Sequence, residues 1–167
     1  MTDEERLWRV HLGSLYGALC RVLGERAVGF SADAAVVRCY EASRAFGELA
    51  AETRESLGEE VAENEVLAEV LGASADADPT GVTTLGVVAS VVGPRLLVTL
   101  RDARAVLGDD VEAAARVTVA ESLALRDLAG RFEVDAEAGV LAGALERLEA
   151  AGYAESFVPP ARLRPPV

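Results

Sequence analysis

The chain has 167 residues and a net charge of −12, with 28 acidic side chains against 16 arginines and no lysine. This length predicts one domain, or a helical domain with a small C-terminal unit. Net acidity opposes nucleic-acid binding at low salt, because such a binder needs a basic surface for the phosphates. The same acidity would keep a protein soluble in high salt, so it also fits a halophilic source.

Hydrophobic residues make up 51% of the chain but aromatics only 5%, which predicts a core of Ala, Val and Leu. Two cysteines, Cys20 and Cys39, are too few for a disulfide scaffold and are expected to be buried thiols. The acidic N-terminus has no signal-peptide pattern. The most apolar stretch, 82–100, is interrupted by Gly93-Pro94 and predicts a core helix rather than a membrane span. We therefore expect a cytoplasmic protein.

Apolar residues at helical spacing predict a first helix over residues 3–26. Its inward face comprises Trp8, His11, Leu12, Leu15, Tyr16, Leu19, Val22 and Leu23. Gly13 and Gly17 would let another helix approach closely. His11 is the only histidine, and its place on or beside the apolar face favours a packed or half-exposed side chain over a catalytic one.

A second helix is predicted over 32–57 and a third over 59–71, with Gly72 as its C-cap. The inward residues of the second helix are Val36, Cys39, Tyr40, Phe46, Leu49, Ala50, Thr53 and Leu57. If the two helices are continuous, one face carries an acidic stripe of Glu48, Glu52, Glu55, Glu59 and Glu63. This stripe is expected to be a solvated face; the alternative is a contact with a basic partner or with cations.

Residues 83–92 and 95–107 predict two further helices with a kink or break at Gly93-Pro94. Their apolar stripe consists of Leu85, Val88, Val92, Leu96, Leu100, Ala103 and Leu107. Apolar residues on the other faces as well make 82–107 the predicted centre of the bundle, as a hairpin or a kinked helix. The arginines at 95, 101 and 104 are expected to pair with the acidic stripe rather than to form an anion site.

The C-terminal third predicts helices over 109–121, 123–132 and 140–151. A Pro-rich segment, 153–167, is then expected to be a strand or an extended tail. The predicted organisation is a helical bundle over 1–108, a helix-turn-helix-like unit over 109–158 and a tail over 159–167.

The runs 125–134 and 141–153 resemble the helix-turn-helix of winged-helix regulators. Leu128-Ala129 match the first helix of that pattern, and Leu145, Leu148 and Gly152-Tyr153 match the end of its recognition helix. The resemblance implies a strand over 154–158 that enters the wing. It also implies DNA-phosphate contacts by Arg126, Arg131, Arg147, Arg162 and Arg164.

Two departures from that pattern count against DNA contact. The turn over 135–139 is about two residues too long, and residues 138–144 contain no Arg, Asn or Gln that could reach base edges. Asp135 and Glu137 would face the phosphates. The alternatives are a helical hairpin, or a winged helix that contacts protein.

The chain has no nucleophilic-serine motif, no second histidine for a metal site and no glycine-rich phosphate loop. We therefore predict a non-catalytic protein without a cofactor or a metal. Its predicted fold class is all-α, a bundle of about five helices with the C-terminal unit. The function is either that of a winged-helix transcriptional regulator or that of a helical adaptor that binds protein without DNA. A homodimer is expected, because apolar surface on helices one and four would remain to be buried.

Overall fold

The computed structural model of the chain describes residues 1–29, 34–77, 82–129 and 137–157, and within these ranges it is an all-helical bundle without a strand. The helices are α1 (Asp3–Gly29), α2 (Ala34–Leu57), α3 (Glu65–Ala77), α4 (Val82–Val87), α5 (Gly93–Leu107), α6 (Glu112–Ala129) and α7 (Glu137–Ala150). A π-helical turn, Val88–Val92, joins α4 to α5, and a 3₁₀ turn, Gly108–Val111, joins α5 to α6.

Helices α1 and α2 form an antiparallel pair in very close contact. A Cβ atom at Gly13 would lie 2.9 Å from Thr53 Cγ2, and one at Gly47 would lie 2.9 Å from Cys20 Sγ. The expected close approach at Gly13 is therefore confirmed. A methyl group at either position would meet the facing side chain, so glycine lets the two helices approach this closely.

The predicted inward face of α1 is buried along its length, with His11 half-buried at its edge. On α2 the buried row is Cys39, Ala42, Phe46 and Leu49. Tyr40 was predicted to be inward and is 61% exposed. It follows Cys39 by one residue, which turns its side chain about 100° away from the buried row. Val36 was assigned to the same face, but its side chain lies outside the described residues.

The predicted start and end of the third helix are wrong. Helix α2 ends at Leu57, directly before Gly58 with its φ of 69°, and α3 begins only at Glu65. Asn64 caps α3, because its Oδ1 atom accepts a hydrogen bond of 2.9 Å from the amide of Leu67. Gly72 lies inside α3 and not at its end.

The segment from Val82 to Leu107 is the centre of the bundle, as predicted. All seven residues of the predicted stripe are buried. The helical path continues through Gly93-Pro94, so the hairpin alternative is wrong. Proline is tolerated there because it lies in the first turn of α5, directly after the π-helical turn.

The run from Thr83 to Leu128 has the length and composition of a membrane-spanning helix, and 72% of its most apolar window is buried within the fold. A core helix of a bundle meets the same criterion. The burial is explained by packing: α4 contacts α3, α5 contacts α1, and α4, the π-helical turn and α5 all contact α6.

The C-terminal third differs from the predicted helix-turn-helix arrangement. One helix, α6, covers a region where a break was predicted near residue 122, and α7 packs against α3 and α4. Residues 154–157 do not form the expected strand. Helix α7 begins at Glu137, so the last three residues of the turn predicted over 135–139 are helical. Residues 130–136, residue 158 and the tail at 159–167 lie outside the described residues.

Candidate functional site

Two of the five arginines predicted to contact DNA can be located. Arg126 is exposed on α6 and Arg147 is exposed on α7, and neither has an ion-pair partner in the described ranges. Arg131, Arg162 and Arg164 lie outside those ranges. The two located side chains are thus available to a partner.

The surface of α7 is not basic. Glu146 and Glu149 are exposed beside Arg147, and Leu145 is 37% exposed. The opposite side of the helix packs into the bundle through Ala144 and Leu148. A helix with this charge would repel phosphate more than it attracts it.

The exposed side of α6 carries a stripe at heptad spacing. Val119 and Leu123 are 42% and 60% exposed, and Arg116 and Arg126 lie one turn before and one turn after them. We call these four residues the outer α6 stripe. Neither arginine has an ion-pair partner among the described residues. An apolar pair between two free cations is typical of a surface that binds another helix.

An ion pair joins α6 to α2 on the side of α6 that faces the bundle, opposite the outer α6 stripe. Arg38 of α2 contacts Glu121 of α6, and both side chains are largely buried. Helix α2 itself exposes two large apolar residues, Val37 at 56% and Tyr40 at 61%. The spacing of the stripe is visible in the sequence, but the predicted break near residue 122 divided it between two helices.

The arginines of α5 do not pair with the acidic stripe, contrary to prediction. Arg101 contacts Asp102, and Arg104 contacts Asp109 and Glu112. Arg95 instead donates hydrogen bonds to the carbonyl oxygens of Tyr153 and Ala154, among other acceptors. Local acids and backbone carbonyls are closer to these arginines than α2 is.

The acidic stripe itself is divided because α2 ends before Glu59. Glu59 pairs with Arg6, and Glu63 pairs with Arg21 at 2.8 Å. These two acids therefore hold the connection after α2 against α1.

His11 holds the C-terminal segment in the bundle. Its Nε2 atom donates a hydrogen bond to the carbonyl oxygen of Phe157, and the amide of Phe157 donates to Thr99 Oγ1 at 2.8 Å. Burial lowers the pKa of His11 below its ordinary value, so the neutral ring is favoured. These contacts give the histidine a structural role.

A cleft opens between α1, α2 and the start of α6, and we call it the α1/α2/α6 cleft. Its volume is about 100 Å³. Its lining residues are Arg9, Leu12, Tyr16, Leu49, Glu52, Thr53, Ser56, Leu107, Asp110, Val111, Ala113 and Ala114. The tyrosine is nearly fully buried and the cleft combines apolar walls with several hydroxyl and carboxylate groups, which is typical of a small-ligand site. Sequence reasoning did not identify it, since its residues come from three separated segments.

Across the described ranges, no three His, Cys, Asp or Glu side chains are grouped so that they could hold a metal ion. Neither cysteine forms a disulfide; Cys39 is buried as predicted and Cys20 is half-buried. Within the described ranges, the cleft and the outer α6 stripe both offer unpaired polar groups to a ligand or partner.

Comparisons of the chain with protein-family models, with curated proteins and with solved structures found no match. The functional argument therefore rests on the residues of this chain alone.

Proposed function

We propose that this protein acts by binding rather than by catalysis, as a helical adaptor that docks an acidic amphipathic helix of a partner protein on the outer α6 stripe. The observation that carries the proposal is the exposure of Val119 and Leu123 between Arg116 and Arg126, two arginines without an acidic partner in the described residues. Apolar anchors flanked by charges favour a helix of complementary pattern.

The charges favour an acidic partner over a second copy of the chain at this surface. If two copies packed their α6 helices antiparallel about the centre of the stripe, Arg116 of each copy would face Arg126 of the other. A parallel arrangement would bring each arginine against its own equivalent. Like charges in direct contact oppose both pairings.

The predicted homodimer would need another face. Its premise was that apolar residues of the fourth helix remain exposed, but residues 83–89 are all buried. On α1, Leu7 at 42% is a large apolar residue that stays exposed. Neither helix offers the broad apolar surface that the dimer prediction assumed.

A protein partner also explains the surface better than DNA does. The winged-helix interpretation needs α7 to approach phosphates, yet its exposed side carries Glu146 and Glu149. Arg126 and Arg147 are the predicted phosphate-binding residues that are seen to be exposed. These two arginines by themselves would give only weak binding to DNA on an acidic protein.

The proposal is tested by fluorescence anisotropy with a labelled, designed peptide that forms an acidic amphipathic helix. Its sequence-scrambled version is the peptide control. Leu123→Glu should weaken binding at least about tenfold, because it places a charge in the apolar centre of the contact. Leu7→Glu is the matched control, since it makes the same change at an exposed leucine of α1. It should bind like the original protein.

The double substitution Arg116→Glu with Arg126→Glu should also abolish peptide binding, while Arg101→Glu on α5 should not. Equal binding by Leu123→Glu and the original protein would overturn the adaptor proposal. Binding of duplex DNA tests the alternative function. Low-salt DNA binding that is lost in Arg126→Glu with Arg147→Glu, together with no binding of the peptide, would replace the adaptor with the DNA-binding regulator.

A further inference from the structure

The α1/α2/α6 cleft is lined by a tyrosine whose hydroxyl group makes no hydrogen bond to a described residue. This residue, Tyr16, is only 3% exposed. Among the described residues, the buried polar atom without a partner is Arg38 Nε, so the Tyr16 oxygen is not sealed from solvent. A hydroxyl in this position normally binds water or a ligand. This hydroxyl therefore marks the cleft as a place where a polar group can be bound.

The other hydroxyl groups of the cleft present acceptors. Thr53 Oγ1 donates its proton to the carbonyl oxygen of Leu49 at 2.8 Å, and Ser56 Oγ donates to that of Thr53 at 2.8 Å. The lone pairs of both oxygens remain available. Burial raises the pKa of Tyr16, so its hydroxyl stays protonated and neutral and can also accept.

The charges of the cleft leave one negative group unbalanced. Arg9 is paired with Asp110 at 2.6 Å, which neutralises both. Glu52 lines the cleft and has no partner among the described residues. The polar side of the cleft therefore favours a cation that donates several hydrogen bonds, and it disfavours an anion.

The remaining walls are apolar and the space is small. Leu12, Leu49, Leu107 and Val111 also line the cleft. An apolar cavity of about 150 Å³ accommodates benzene, which has six carbon atoms. A cleft of about 100 Å³ would accordingly hold a molecule of four or five non-hydrogen atoms.

We propose that the α1/α2/α6 cleft binds a small organic cation, a primary alkylammonium of four or five non-hydrogen atoms. Its ammonium group donates to the Tyr16 hydroxyl and the oxygens of Thr53 and Ser56, with Glu52 as the counter-charge. Its alkyl stem packs against Leu12 and Leu107. This site is separate from the outer α6 stripe, so it stands whether or not the adaptor proposal does.

The test is a titration of the ¹⁵N-labelled protein with n-butylammonium chloride, followed by amide chemical shifts in NMR spectra. Sodium chloride at the same concentration controls for ionic strength. Saturable shifts should appear at the amides of Thr53, Ser56 and Val111. Neutral n-butanol has the same number of non-hydrogen atoms and should bind several-fold more weakly, because it lacks the charge.

Two substitutions separate the contributions to binding. Tyr16→Phe should weaken butylammonium binding about tenfold, since a hydrogen bond to a charged group is lost. Glu52→Gln should weaken it about threefold, as expected for an exposed charge. Glu55→Gln, one turn further along α2 and outside the cleft lining, is the matched control and should have no effect.

Three results would overturn the proposal: no saturable shifts at the cleft, equal binding of butanol and butylammonium, or unchanged binding in both Tyr16→Phe and Glu52→Gln. Thermal unfolding of each variant verifies that the fold is retained. If Tyr16→Phe does not fold, the surface substitution Glu52→Gln decides alone. A threefold loss of butylammonium affinity in Glu52→Gln supports the proposed site, and an unchanged affinity rejects it.

Discussion

Arg95 of α5 donates a hydrogen bond from Nε to the carbonyl oxygen of Tyr153 across a distance of 3.0 Å. Its Nη2 atom reaches the next carbonyl, that of Ala154, at 2.7 Å. Burial lowers the pKa of this arginine, which nevertheless remains charged because its ordinary pKa is so high. A cation from the bundle centre thus satisfies the carbonyl oxygens that follow α7.

Substitution of Arg95 should release these carbonyl oxygens. We expect Arg95→Ala to lower the free energy of unfolding by about 1–3 kcal/mol, because hydrogen bonds to a charged donor are lost and half-buried acceptors remain. Urea denaturation measures the change. Arg101→Ala removes an exposed arginine from the same helix and should cost less than about 0.5 kcal/mol. Equal losses for the two variants would argue against a special role for Arg95.

His11 should make stability depend on pH near neutrality. Its pKa in the folded state lies below the ordinary value of 6.5, because burial disfavours the imidazolium. Above that value both states are neutral and stability is constant. As the pH falls below 6.5, His11 binds a proton in the unfolded chain but not yet in the folded protein. The free energy of unfolding therefore decreases until the pH reaches the lowered pKa of His11 in the folded state.

The decrease amounts to at most about 1.4 kcal/mol per pH unit. Urea unfolding at about pH 8 and about pH 5.5 brackets the ordinary histidine pKa. His11→Gln keeps an N–H donor for the Phe157 carbonyl but cannot titrate, so its stability should change much less between these two values. The same pH dependence in this variant would assign the effect to carboxylates.

Two helical glycines should respond in opposite directions to alanine. At Gly93 a Cβ atom would lie 3.1 Å from Ser122 Cβ and 3.3 Å from the Val88 carbonyl oxygen. Gly93→Ala should therefore destabilise the protein by about 1–3 kcal/mol through overpacking. At Gly72, inside α3, no atom would lie within 4 Å of the new Cβ.

Gly72→Ala should accordingly stabilise the protein by about 0.5–1 kcal/mol, since alanine loses less backbone entropy in a helix. Thermal and urea unfolding of both variants measure the difference. If Gly93→Ala is as stable as Gly72→Ala, the packing of α5 against α6 is looser than the structure indicates.

Phe157 should contribute strongly to stability although it lies beyond the last helix. Its side chain is fully buried, and its ring meets that of Tyr153 edge to face at 5.4 Å. Phe157→Ala should cost about 3–5 kcal/mol, as for other buried aromatic residues. The exposed neighbour Glu155→Ala is the control, with an expected change within about 0.5 kcal/mol. A small effect of Phe157→Ala in urea denaturation would mean that the segment does not pack as described.

Much of the helical architecture could be predicted from residue spacing. The inward face of α1, the buried stripe from Leu85 to Leu107 and the end of α5 at Gly108 follow from local patterns. Helical periodicity places apolar residues on one side whatever they later contact. Glycine with a positive φ, as at Gly108, similarly ends a helix for local reasons.

The errors arose where distant segments decide the outcome. α3 begins at Glu65 because the amide of Asn64 donates to the carbonyl oxygen of Ser14 on α1, 3.0 Å away, while its side chain caps the new helix. The sequence around residue 59 does not indicate this contact with α1. The partners of Arg95 likewise come from 58 and 59 residues further along the chain.

The sequence by itself thus determined an acidic all-α chain, its main helices and the apolar segment at its centre. Tertiary structure decided which arginines remain unpaired on α6 and how His11 is held. It also decided that Tyr16 is left with an unpartnered hydroxyl in a cleft. The reason is physical: a helical period depends on residues within one or two turns. The pairing of a polar group depends on which distant segment the packed core brings within hydrogen-bond distance.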